Sequence, residues 1–145
     1  ERLAEYLRDH PETNFFHFNV DLAQGPCVIK RLRGCGAGCE YVAITPEGDI
    51  YPCHQFVGNE DYKLGSLYDG TFDQELSGRF AGLNIYTREE CRDCWARFYC
   101  SGGCSASNLL VNGDIKKPHR VGCELERKRL ECAIALRAIA AGMAE

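Results

Sequence analysis

The chain has 145 residues, a length typical of one domain, and a net charge of −4 that is spread along the sequence. A net negative charge that is spread along the chain argues against a nucleic-acid-binding surface. No apolar run approaches the roughly 18 residues of a transmembrane helix, and no signal-peptide pattern is present. We therefore expect a cytoplasmic protein that binds neither nucleic acid nor membrane. The sequence opens at Glu1, without an initiator Met and inside a predicted helix, so we expect it to be part of a longer protein.

The N-terminal segment predicts a helix followed by a strand. Apolar residues at helical spacing indicate that residues 1–9 are the end of an amphipathic helix. Phe16, Phe18 and Val20 then alternate with polar residues, which predicts a half-buried strand over residues 14–20.

The rest of the chain predicts one hairpin and several helices. β-favouring residues on both sides of the turn Thr45–Asp49 predict a hairpin over residues 41–53. Capping boxes that begin at Thr71 and Thr87 predict two helix starts. A tight loop is expected at 101–103, a short helix at 104–111 and a longer helix at 124–141. The predicted fold class is α+β, a small, loop-rich and metal-organised domain with a β-hairpin, short helices and a C-terminal helix.

Cysteine is the residue type that points to function. The ten cysteines are about 7% of the chain, just below the roughly 8–10% of a secreted disulfide scaffold. They are Cys27, Cys35, Cys39, Cys53, Cys91, Cys94, Cys100, Cys104, Cys123 and Cys132. Most lie in two tight groups whose short spacings are typical of metal sites. Cys132 falls within the last helix, where we expect a small buried hydrophobic residue.

The chemistry of the donors leaves several interpretations open. Thiolates without interleaved histidines suit either iron–sulfur clusters or zinc. A zinc-stabilised interaction module with no redox role would use the same number of thiolates. A disulfide-bonded secreted domain is a third interpretation. The loop-rich middle of the chain buries little apolar surface, so we expect its folding to depend on metal.

The spacing of the cysteines resembles that of a known family. The pattern is Cys35-x12-Gly48-x4-Cys53, a gap, then Cys91-x2-Cys94-x5-Cys100-x3-Cys104, a gap, and Cys123. It resembles the SPASM domain, a C-terminal extension of radical SAM enzymes that modify peptides and proteins. The segments around Cys27 and from Thr45 to Gly58 more narrowly resemble the maturases of six-cysteine (SCIFF) peptides, which form thioether cross-links.

The resemblance implies two auxiliary [4Fe–4S] clusters whose ligands interleave. Cys91, Cys94, Cys100 and Cys123 should hold the second cluster, and Cys35, Cys53 and Cys104 the first. Cys27, Cys39 or a substrate thiol would complete the first cluster. An isolated fragment could instead take up zinc.

The resemblance also implies a division of labour with a preceding domain. The radical SAM signature Cys-x3-Cys-x2-Cys is absent from the chain, so S-adenosylmethionine would bind only in a missing N-terminal radical SAM barrel. We expect this chain alone to lack catalytic activity. Residues 1–26 would connect to that barrel, 27–123 would form the SPASM twin-cluster domain and 124–145 a C-terminal helix. The implied roles are electron transfer and binding of a substrate thiol, with a cysteine-rich precursor peptide as partner.

Overall fold

The computed structural model describes residues 2–22 and 28–142, which divide into two compact units. One unit contains residues 28–119, and the other contains the N-terminal segment together with the residues from Arg120 onward. The helices are α1 (Arg2–Asp9), α2 (Val28–Arg33), α3 (Gln74–Ala81), α4 (Glu89–Arg92), α5 (Arg97–Cys100), α6 (Ser105–Asn112) and α7 (Arg120–Ala140). The strands are β1 (Ala43–Ile44), β2 (Asp49–Tyr51), β3 (Gly65–Ser66) and β4 (Thr71–Phe72). The α+β class is therefore confirmed.

The four strands form one antiparallel meander in the order β1-β2-β3-β4. The predicted hairpin is its first half, with Ile44 opposite Ile50 and the backbone N–H of Thr45 bonded to the carbonyl of Asp49 at 3.0 Å. Strands β3 and β4 were not predicted from the sequence, because each has only two residues.

The core of the 28–119 unit lies between this sheet and the helices that follow it. Leu64 and Phe56 are almost fully buried, and the Phe56 ring meets Phe80 of α3 edge-on with ring centroids 5.4 Å apart. Ala106 of α6 and Ile115 after that helix belong to the same cluster of buried residues. Burial of side chains of this size contributes roughly 1.5–3 kcal/mol each, so this cluster is the main apolar support of the unit.

The first predicted capping box is wrong in detail. Thr71 lies in β4 opposite Ser66, and its hydroxyl accepts the Ser66 backbone N–H at 3.2 Å. Helix α3 begins three residues later, where the carboxylate of Asp73 accepts the backbone N–H of Leu76 at 2.8 Å. The Thr71 hydroxyl bonds across the sheet, so Asp73 caps the helix instead. At the second box, Arg88 precedes α4 without a capping hydrogen bond from its side chain.

The other unit pairs the first and last helices. Helices α1 and α7 pack together, with Leu7 and Leu130 buried. The strand predicted over residues 14–20 is wrong, because Phe16–Phe18 form a 3-10 turn. This turn places residues three apart side by side, and the Phe15 and Phe18 rings meet edge-on at 5.0 Å. Within the described ranges, no helix has both the length and the apolar character needed to cross a bilayer.

Candidate metal centre

Cys35, Cys39 and Cys53 lie at the ends of short elements. Cys35 follows α2, Cys39 lies in the next turn, and Cys53 comes two residues after β2. The backbone N–H of Gly38 donates to the carbonyl of Pro52 at 3.0 Å, which ties the turn to the end of the strand. The Cys39 thiol donates to the carbonyl of Gly36 at 3.4 Å, within its own turn.

The thiol of Cys53 lies within electrostatic range of two other cysteines. It is buried, whereas Cys35 and Cys104 are exposed. Burial raises the pKa of Cys53, the backbone N–H groups of Gln55 and Phe56 lower it, and the nearby Cys104 and Cys35 thiolates raise it further. Cys53 is therefore electrostatically coupled to Cys35 and Cys104, the two cysteines that the resemblance assigns with it to the first cluster.

The second group of cysteines lies on consecutive turns. Cys91 is in α4, and its carbonyl accepts the backbone N–H of Cys94 at 3.1 Å. The carbonyl of Cys94 then accepts the backbone N–H of Arg97 in α5, which ends at Cys100. The next three residues all have positive φ, which confirms the tight loop before Cys104. These turns hold four thiols within one short, hydrogen-bonded segment.

Packing between α2 and α5 places the two groups side by side. Cys35 comes two residues after α2, and Cys100 is the last residue of α5. The ideal Cβ position of Gly34 lies 3.6 Å from the Cβ of Ser101. The loop that carries Cys35 therefore lies against the loop that joins Cys100 to Cys104.

Apolar burial gives the segment 86–104 little support. Its buried side chains are Arg88, Cys91 and Ala96. Its large aromatic residues are at least one third exposed, namely Tyr86, Trp95, Phe98 and Tyr99. A segment with so small an apolar core needs another source of stability, and metal–thiolate bonds are such a source.

The three remaining cysteines are Cys123, Cys132 and Cys27. Cys123 lies in the first turn of α7, within the other unit. Cys132 is buried in the same helix, as predicted, beside an apolar cleft that includes Leu136 and Ile139. Cys27 lies outside the described residues.

No three His, Cys, Asp or Glu side chains of the described ranges are close enough together to hold a single metal ion. A cubane cluster has a different geometric requirement, because each of its thiolates binds a separate iron atom. Among residues 28–142 the cysteines form no disulfide bond.

Two polar residues beside these cysteines were missed by the sequence analysis. Gln55 donates its amide N–H to the Cys104 sulfur at 3.8 Å. Arg88 is buried among the thiolates, and its Nε has no hydrogen-bond acceptor within the described part of the chain. Burial lowers the pKa of Arg88, whereas the charges of Cys91, Cys100, Asp114 and Cys104 raise it. No sequence pattern marks either residue.

The residues present fit iron–sulfur clusters. The donors are soft thiolates, and one amide N–H and one cation lie beside them, which suits the negative charge of a thiolate-ligated cluster.

Comparison with known families agrees with this chemistry. Residues 35–95 match the SPASM family. The family is described as an iron-sulfur cluster-binding domain. The matched span, which we call the SPASM region, ends before Cys100, Cys104 and Cys123.

Several curated proteins are similar to the chain. The mycofactocin maturase MftC of Mycobacterium ulcerans is 32% identical over 111 residues, which are 72% of this chain and 29% of that protein. A PqqA peptide cyclase of Xanthomonas axonopodis pv. citri is 28% identical over 102 residues, 66% of this chain and 27% of that protein. A serine-type anaerobic sulfatase-maturating enzyme of Klebsiella aerogenes is 28% identical over 85 residues, 57% of this chain and 20% of that protein. The chain spans less than a third of each relative.

Proposed function

We propose that residues 27–123 hold two [4Fe–4S] clusters and serve a radical SAM enzyme that modifies a peptide. The observation that carries this proposal is the contact of the loop of Cys35 with the loop that joins Cys100 to Cys104, where Cys53 is electrostatically coupled to Cys35 and Cys104. These three cysteines are far apart in sequence, and the SPASM region contains two of them.

The proposed ligand sets interleave along the chain. Cys104 serves the first cluster, which is supported by its electrostatic proximity to Cys53 and by the loop contact between Gly34 and Ser101. The consecutive turns from Cys91 to Cys100 support a common second cluster. The first set is Cys35, Cys53 and Cys104, and the second set is Cys91, Cys94, Cys100 and Cys123.

The fourth ligand of the first cluster is proposed from three candidates. These are Cys27, Cys39 and a thiol of the substrate peptide. The exposure of Cys35 and Cys104 supports access of a peptide to this cluster. Spectra of Cys27→Ala and Cys39→Ala variants distinguish the candidates, because only loss of the true ligand changes the first cluster. If neither variant alters the iron content, the substrate thiol is the remaining candidate.

In the proposed reaction the chain positions redox groups beside a cysteine-rich precursor peptide. The bound clusters would supply one-electron transfer during formation of a thioether cross-link. The residues of this chain would hold the clusters, limit their contact with water and accept the peptide near Cys35 and Cys104. S-adenosylmethionine would bind in a radical SAM domain that precedes this chain. The mycofactocin relative is a maturase and the PqqA relative is a peptide cyclase, which supports peptide maturation as the proposed function. A thiolate-rich site of this kind also favours the reducing cytoplasm.

A test for 5′-deoxyadenosine separates the roles of the two domains. The reconstituted chain, reduced with dithionite and mixed with S-adenosylmethionine, should give no more of this product than a protein-free control. The longer natural protein should form it and should remove a pair of hydrogen atoms from the peptide for each thioether. Product formation by the chain alone would contradict the proposal. Failure of the longer protein to form a thioether would contradict the proposed cross-link.

A further inference from the structure

Arg88 is a buried cation that lies beside the second group of cysteines. Arg88 is only 4% exposed, although an arginine is almost never fully buried unless it is paired with an opposite charge. The charges that act on it are the thiolates of Cys91 and Cys100, the carboxylate of Asp114 and the thiolate of Cys104. Three of these four groups are proposed cluster ligands, drawn from both sets.

The two terminal nitrogens of the Arg88 guanidinium donate hydrogen bonds to neutral groups. Its Nη1 donates to the carbonyl of Ile115 at 2.9 Å, and its Nη2 donates to the hydroxyl of Ser105 at 3.0 Å. These bonds orient the side chain without neutralising its charge. A buried charge is costly unless an opposite charge compensates it, and the opposite charges near Arg88 are the three thiolates together with the carboxylate of Asp114.

One further donor of Arg88, its Nε–H, faces the loop between Cys100 and Cys104. The Nε–H is buried and meets no acceptor among the residues that the structure describes. The ideal Cβ position of Gly102 would lie 3.1 Å from both Nε and Cδ of Arg88. Glycine at this position therefore leaves the space that the arginine occupies, and the unused donor lies where the two ligand sets meet.

We propose that Arg88 is a positioning residue that raises the reduction potential of the cluster held by Cys91, Cys94, Cys100 and Cys123. A cubane with four thiolates is anionic and gains a further negative charge when it takes up one electron. A fixed cation and an N–H donor beside the sulfurs stabilise that reduced form more than the oxidised form. The inference rests on the proposed function, since it requires the clusters. The same cation reduces the repulsion between two anionic clusters.

Redox titration of the full chain, reconstituted anaerobically and followed by EPR, tests the proposal. Arg88→Gln removes the charge and should shift one midpoint potential to a more negative value. Arg88→Lys keeps the charge but loses the fork of donors, so its midpoint should fall between those of the wild type and Arg88→Gln. Arg79→Gln is the matched control, because it removes the same charge from an exposed position on α3. If Arg88→Gln binds both clusters in full and has the same midpoint potentials as the Arg79→Gln control, the proposal is overturned.

A second measurement needs no variant of Arg88. The chain is labelled with 15N-arginine, reduced, and examined by pulsed EPR for coupling between arginine nitrogen and the cluster spin. The coupling should appear in the wild type and persist in the double variant Arg92→Lys/Arg97→Lys, which removes the other two arginines of the segment 86–104. Its absence from the wild type would overturn the proposal even if Arg88→Gln fails to fold. A wild-type chain that takes up no iron would overturn the proposed function itself.

Discussion

Replacement of Gly38 by Ala should destabilise the 28–119 unit through a clash as well as through backbone strain. The Gly38 N–H bonds to the carbonyls of Tyr41 and Pro52, and its carbonyl accepts the Ser77 hydroxyl at 2.7 Å. It has φ of +80°, and an added Cβ would lie 2.6 Å from Cγ of Phe80.

The expected loss of stability has two contributions, the strain of the left-handed backbone and the clash with Phe80. A left-handed conformation costs an alanine about 1–2 kcal/mol. Phe80 is 4% exposed and packs against Phe56, so its ring cannot move away freely. Overpacking of such a site costs roughly a further 1–3 kcal/mol. The expected loss for Gly38→Ala is therefore about 2–5 kcal/mol.

Gly58→Ala is the matched control for this prediction. Gly58 has φ of +85°, and nothing within the described chain lies within 4 Å of its ideal Cβ position. It should lose only the strain of about 1–2 kcal/mol. Anaerobic urea denaturation of the reconstituted chain, followed by far-UV circular dichroism, should place the Gly38→Ala midpoint below that of Gly58→Ala. Equal midpoints for the two variants would refute the argument that Phe80 is rigidly packed.

Three further predictions concern the tenth cysteine, one ion pair and one buried amide. Cys132→Ala should cost about 1 kcal/mol and leave the iron content unchanged, whereas Cys94→Ala should remove about half of the iron; equal iron loss would mean that Cys132 is a ligand. The 2.7 Å ion pair with Asp49 raises the pKa of Lys63 in the folded protein. The ion pair therefore stabilises the fold fully below the pKa of an unfolded lysine, about 10.4, and this stabilisation is lost as the pH rises through the pKa of Lys63 in the folded protein. Wild type and Lys63→Met should therefore converge in urea midpoint above that pH, and a constant difference would contradict the assignment. Asn108→Ala should lower the free energy of unfolding by about 1–3 kcal/mol, because the buried amide oxygen of Asn108 accepts the backbone N–H of His119 at 2.9 Å. An unchanged midpoint in urea denaturation would contradict this role.

Local patterns predicted the elements whose signals lie within a few residues. The turn Thr45–Asp49 has β-favouring residues on both sides, and the hairpin formed there as expected. The last helix was predicted from residue 124, but α7 begins at Arg120. Phe16 and Phe18 also alternate, yet packing between aromatic rings three residues apart favours a 3-10 turn over a strand.

Features that depend on distant residues were not predictable in the same way. Thr71 pairs with Ser66 only because β3 and β4 come together, so its capping pattern was misleading. Arg88 resembles a solvent-exposed helix residue in the sequence, whereas the fold buries it behind the loop of Gly102. The cysteine spacing indicated the chemistry of the site, but its surroundings depend on the tertiary structure.

The central claim is that the cysteines hold two [4Fe–4S] clusters, and anaerobic quantification of iron and acid-labile sulfide tests it most directly. The reconstituted chain should contain about eight iron atoms and about eight sulfides and should absorb broadly in the visible range. Stoichiometric zinc without sulfide after the same procedure would contradict the account and would indicate a zinc-stabilised module. Nearly complete loss of titratable thiols under denaturing, metal-chelating conditions would contradict it in favour of a disulfide-bonded domain.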